Sequence, residues 1–106
     1  MANKKFGEGF ARLADSTHIT QLTVKNTQSG AEHVLPNVPG KQASVRIYFA
    51  ISHNAKKAIS SQQAQIGLQL FGDYVTDELN HPDAHPNIRL LLNIIDNDEV
   101  WQVAVK

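Results

Sequence analysis

The chain has no cysteine among its 106 residues. Disulfides, thiolate metal sites and cysteine nucleophiles are excluded, and the composition fits a reducing, cytoplasmic compartment. No apolar run approaches the roughly 18 residues of a membrane span, so no membrane association is expected. The opening stretch, MANKKFGEGFARLADS, lacks an apolar segment of signal-peptide length, and no leader is expected. No Asn-x-Ser/Thr acceptor occurs. Aromatic residues make up 7% of the chain, too few and too scattered to form a ladder for stacking bases. What remains is 42% hydrophobic and 19% charged, which is ordinary for a globular protein and too apolar for a disordered one. A chain this long buries roughly 60–65% of its unfolded surface, enough for one core, so residues 1–106 are expected to form a single compact domain.

Net charge is zero but unevenly spread. Residues 1–57 carry eight Lys or Arg against three Asp or Glu, a balance of +5, and residues 58–106 carry two against seven, a balance of −5. Either the two halves fold against each other and their fields cancel, or the first half presents a basic face to an anionic partner. Nucleic acid is disfavoured as that partner. Basic residues pair only at Lys4–Lys5 and Lys56–Lys57, no aromatics interleave them, and the pI is near 7.

Periodicity divides the chain into elements. Phe6, Phe10 and Leu13 fall at i, i+4 and i+7 and predict a short helix over 4–14, weakened by Gly7 and Gly9. Residues 18–35 predict a β-hairpin. Leu22 and Val24 alternate with polar neighbours, NTQSG forms the turn, and AEHVL returns. Residues 44–57 are ambiguous. Val45, Ile47, Phe49 and Ile51 alternate as in a strand, yet Arg46, Ala50, His53 and Lys57 form a helical stripe. Length and the alanines favour helix. From Ser60 to Asn80 one helix is predicted. Ser60 and Gln63 have capping-box spacing, and Ala64, Leu68, Phe71, Val75 and Leu79 mark one face. Gly67 and Gly72 inside it each cost about 1 kcal/mol relative to Ala unless a close approach needs them. A further helix begins at Pro86, with Ile88, Leu91, Leu92 and Ile95 on one side, and ends at Asn97-Asp98-Glu99. The chain closes on a strand with Trp101, Val103 and Val105 on one face, expected to pair with the hairpin. The fold expected is α+β: a small antiparallel sheet of hairpin and C-terminal strand, packed against three to four helices.

The sharpest chemical signal is HPDAHP. His81, Asp83 and His85 are candidate metal ligands, because imidazole and carboxylate suit zinc or nickel. Two histidines at i, i+4 share a metal when both lie on one helix. Here Pro82 and Pro86 follow them and push both out of the α region. Structurally, the same residues punctuate two helices. His81 ends the first, Pro82 stops it, Pro86 starts the next, and Asp83 or Asn87 bonds free loop amides. Remote ligands such as His18, His33 or His53 could complete a metal set. VPGKQAS resembles a phosphate loop, but Leu35 and Gln42 stand where Gly and Ser/Thr are required. A reduced anion-binding version uses Lys41 and a helix beginning near Ser44. Asp73, Asp77 and Glu78 read as a solvated acidic face. Arg46 is either a buried anchor for one of them or an exposed arginine. No Ser lies in a nucleophile elbow, and no complete catalytic set is visible.

Three stretches, LPNVPGK (Leu35–Lys41), GLQLFGDY (Gly67–Tyr74) and HPNIRLLL (His85–Leu92), resemble in order and spacing a family of small, mostly proteobacterial proteins with a domain of unknown function. The likeness covers about the last two-thirds of the chain. It implies a bacterial cytoplasmic origin and brings no catalytic residues. The function expected is a non-catalytic binding or protein-interaction module without cofactor, whose partner is a protein or a second copy of the chain. The alternative is a small metal- or anion-dependent enzyme using the His81/Asp83/His85 loop and a transition metal.

Overall fold

A computed structural model describes residues 4–53 and 56–106. Strands β1 (Gln21–Asn26) and β2 (Glu32–Pro36) form the expected antiparallel hairpin, with Leu22 opposite Leu35 and Val24 opposite His33. Alternation turns Leu22, Val24 and Leu35 into the core and leaves Thr23, Lys25 and Val34 toward the open face. Buried Asn26 fixes the five-residue connection. Its Oδ1 accepts from the amides of Gln28 (2.8 Å) and Ser29 (3.1 Å).

The C-terminal strand pairs with β1, Val103 opposite Val24. A strand of two residues, β3 (Ala58–Ile59), lies outside it and makes that strand β4 (Trp101–Val105). The sheet order is β2-β1-β4-β3. The fourth strand went unforeseen because two residues carry no period. Trp101 and Val103 are buried as predicted, whereas Val105 is 41% exposed. Of the two edges, β3 is blunted by its length. On β2, Asn26 N–H bonds Ala31 O (2.8 Å) and Asn37 N–H bonds Thr20 O (3.0 Å), so odd-numbered residues face β1. Pro36, which has no N–H to offer, therefore faces the free edge, where it discourages strand addition.

Residues 42–53 are helical: α1 (Gln42–His53) buries Val45, Ile47, Tyr48 and Ile51 against the sheet and the next helix. It starts two residues before Ser44 and ends before Lys57. Residues 54–55, within the predicted helix, lie outside the described residues. The long helix expected over 60–80 is two, α2 (Ser61–Phe71) and α3 (Asp73–Asn80), broken at Gly72 with φ +61°. Ser60 and Gln63 form the capping box as read from their spacing. The break re-phases the apolar face. Ala64 and Phe71 are buried, but Leu79 is 57% exposed and Glu78 turns inward in its place. Helix α4 (Pro86–Asn97) starts on Pro86 as expected and ends on Asp98 in the left-handed region. Its most buried residues are Ile88, Leu90, Leu91 and Ile94, while Leu92 and Ile95 pack at the margin. Burying each such side chain contributes about 1.5–3 kcal/mol.

Gly67 within α2 and Gly72 at its end are both required by close approach. A Cβ at Gly67 would stand 2.8 Å from Leu91 Cδ1 and 3.1 Å from Ile51 Cδ1, so α4 and α1 meet there. At Gly72 it would stand 2.5 Å from Gly7 N and Lys5 O. These atoms belong to an N-terminal strap. The helix predicted over 4–14 does not form; residues 5–7 cross the α2–α3 break without regular secondary structure, followed by a 3₁₀ turn at Phe10–Arg12. The strap's backbone bonds the helices instead of itself: Gly7 N–H to Leu70 O (2.8 Å) and Asp73 N–H to Lys5 O (2.9 Å). Phe6 and Phe10 still meet, stacked at 4.2 Å, but as a docked pair. No helix among the described residues is long and apolar enough to cross a membrane.

Candidate functional site

HPDAHP joins α3 to α4. His81 caps α3, its N–H bonding Asp77 O at 2.9 Å, and Ala84 N–H turns back to His81 O at 3.0 Å. The loop amides are held by neither Asp83 nor Asn87, as the sequence suggested, but by Glu78. This carboxylate is fully buried and accepts from Asp83 N–H (2.8 Å), His85 N–H (2.6 Å) and Arg89 Nε (2.7 Å). Burial alone would raise its pKa. The two amides and the guanidinium outweigh that and hold the carboxyl below the usual glutamate range. The acidic face read into Asp73, Asp77 and Glu78 is thus corrected. Asp73 Oδ2 takes the Lys5 amide (3.0 Å), Asp77 faces His85 and Lys4, and Glu78 is the internal clamp of the loop. Arg46 does not reach these acids. Its guanidinium donates to the Leu13 and Ala14 carbonyls and lies 5.2 Å over the Phe10 ring. The partner of the buried acid is Arg89, one α4 turn beyond the loop.

The charge halves meet at one ion pair among the described residues, Lys4 to Asp77 at 3.4 Å. The same carboxylate takes His85 Nε2 at 2.6 Å. That hydrogen bond, with the Lys4 charge, draws the Asp77 pKa below the ordinary aspartate value. Tyr74 stands edge-on to the His85 ring, with centroids 5.7 Å apart.

Between the start of α1 and this loop lies a cleft of about 290 Å³. Gly40, Lys41, Ala43 and Ser44 form one wall, and Ala84 to Ile88 form the other. Phe6 of the strap, Phe71 and Tyr74 close the end between them. Two separate sequence signals therefore converge: Lys41 and Ser44 from one, His85 from the other. His81 and Asp83 are exposed and do not line the cleft. Among the described residues, no three His, Asp or Glu side chains are grouped to hold a metal ion. His33 Nε2 stands 2.7 Å from Asn87 Oδ1, and His18 and His53 both pack edge or tilt onto Phe49. Sequence reasoning gave Phe6, Glu78 and Asn87 other roles, as a helix residue, a solvated acid and a bonder of loop amides, and passed over Tyr74. Spacing does not place them at the site, because their neighbours there come from other elements.

No curated protein and no solved structure matches the chain. The model of one family, described as an uncharacterized protein conserved in bacteria (DUF2322), matches residues 6–105, a span that holds every helix and strand and the whole cleft. The chain therefore belongs to this bacterial family of unknown function, in keeping with the resemblance carried by LPNVPGK, GLQLFGDY and HPNIRLLL.

Proposed function

We propose that the protein is a non-catalytic binding module, acting in the bacterial cytoplasm, and that the cleft between the start of α1 and the α3–α4 loop receives its ligand. One observation carries this reading. Four stretches of the sequence, at Phe6, 40–44, 71–74 and 84–88, bring aromatic side chains and a few polar groups to a single concave site, the usual composition of a ligand pocket. The internal Glu78 clamp supports it, because two loop amides and Arg89 of α4 are tied to one buried carboxylate, which makes a preformed wall. A small ligand, or one side chain of a partner protein or second copy, fits the volume. The test is a fragment titration followed by amide chemical shifts. Perturbations concentrated on Gly40–Ser44 and Ala84–Ile88 are expected. Hits scattered over the surface, or turnover of an offered substrate class, refute the reading.

A second reading, a small enzyme drawing on the His81/Asp83/His85 loop, is favoured by one contact. Asp77 holds His85 Nε2 at 2.6 Å, as a carboxylate orients a general base. Its metal-dependent version requires ligands that the described residues do not group. Near-stoichiometric zinc or nickel in untagged protein, lost in the His81→Ala/His85→Ala variant, would establish that version.

A further inference from the structure

We propose that the ligand of this cleft is a small organic anion: a carboxylate or phosphate group on a flat apolar body. The proposal rests on the binding-module reading and specifies its ligand.

The first argument is the sign of the charge. No Asp or Glu lines the cleft; its charged or chargeable side chains are Lys41, His85 and Tyr74. The nearest acids are withheld. Asp77 is engaged by His85 and Lys4, and Glu78 is sealed beneath the loop by two amides and Arg89. Lys41 is exposed and pairs with no carboxylate among the described residues. An ammonium group without a counter-ion, at the mouth of a cleft without acids, favours an anion.

The second argument is the polarity of the hydrogen-bonding groups. Asn87 has both oxygens engaged, Oδ1 with His33 Nε2 at 2.7 Å and its carbonyl with the Tyr48 hydroxyl at 2.5 Å. What it retains for an occupant is its amide N–H pair. Ser44 adds a hydroxyl and Lys41 three N–H groups. Donors thus outnumber acceptors, which suits a carboxylate or phosphate head and not an amine.

The third argument is shape. Phe6 tilts onto Tyr74 at 4.8 Å, and Tyr74 meets His85 edge-on, so the closed end is a continuous aromatic surface. Buried Phe71 and Ile88 form its floor. About 290 Å³ is at the small end for ligand sites. It accommodates one ring with one acidic group.

The experiment is an amide-shift titration of the full chain with five probes: phenylacetate, phenyl phosphate, 2-phenylethanol, phenethylamine and inorganic phosphate. We expect at least one of the two aromatic anions to saturate shifts at Gly40–Ser44 and Ala84–Ile88; which of them binds tighter assigns the head group. Alcohol and amine should bind about tenfold more weakly or not at all. Lys41→Glu should weaken the anion about tenfold while thermal stability is retained, because Lys41 is exposed. Phe6→Leu should weaken it severalfold. Equal or tighter binding of alcohol or amine in the cleft overturns the anion class and leaves the binding cleft standing. Inorganic phosphate binding as tightly as phenyl phosphate overturns the apolar body. Absence of cleft shifts with all five probes overturns both the ligand class and the cleft.

Discussion

Glu78 is the residue on which the α3–α4 loop depends, and Glu78→Ala is the perturbation that tests it. The carboxylate has no exposed surface and takes three hydrogen bonds of 2.6–2.8 Å. Truncation leaves two loop amides and the Arg89 guanidinium, whose side chain is 29% exposed, without their acceptor. Removing one partner of a buried ion pair costs about 3–5 kcal/mol. A domain has about 5–15 kcal/mol in total, so the variant should lose a large share of its stability. At about 4–8 °C per kcal/mol for a chain of this size, the thermal midpoint should fall by more than about 12 °C. Urea unfolding followed by the single, buried Trp101 reports it directly. Glu78→Gln keeps the shape and one acceptor and should cost roughly 2 kcal/mol. A Glu78→Ala loss under about 1 kcal/mol, or strict additivity with Arg89→Met, would refute the clamp. The pH dependence has a definite sign. A carboxyl held below its ordinary value of 4.5 stabilises the fold fully above that value and loses the contribution as pH falls through the lower folded value. Acid unfolding should therefore begin below about pH 4.5, and this part of the acid limb should vanish in Glu78→Gln.

Three further outcomes check the packing. Gly72→Ala should cost more than about 2 kcal/mol and raise hydrogen exchange over residues 5–7, since its Cβ would meet strap backbone at 2.5 Å; Gly40→Ala, with φ +89° but open space, should cost only about 1 kcal/mol of strain. Leu91→Ala should lose about 2–5 kcal/mol in denaturant unfolding, against less than about 0.5 kcal/mol for the exposed Leu79→Ala. Arg46→Ala should lose about 1–3 kcal/mol and release the Leu13 amide, bonded to Phe10 O, to faster exchange, because the contacts to the Leu13 and Ala14 carbonyls and the cation over Phe10 go together.

What the sequence determined by itself was the set of elements whose cause is local. Alternation in β1 and β4, the turn after Asn26, the Ser60–Gln63 box and Pro86 at the start of α4 each act within a few residues. They read correctly because period, cap and turn chemistry need no distant partner. The α+β class followed from them. Tertiary contact decided the rest. Phe6, Phe10 and Leu13 carry a helical period, yet residues 5–7 bond Leu70 and Asp73, and only a 3₁₀ turn at Phe10–Arg12 forms within 4–14. Gly72 reads in the sequence either as a tolerated residue of one long helix or as a point of close approach; the approach is real, and the helix breaks there because the strap crosses it. Glu78 follows Asp73 and Asp77 on the same helix, and no spacing shows that its own turn points inward once the helix is re-phased. Lys41, Ser44 and His85 were each legible as polar groups near loops and helix starts. That they line one cleft follows from how α1, α3 and α4 pack, since groups some forty residues apart in sequence are brought together only by burial of the apolar faces between them.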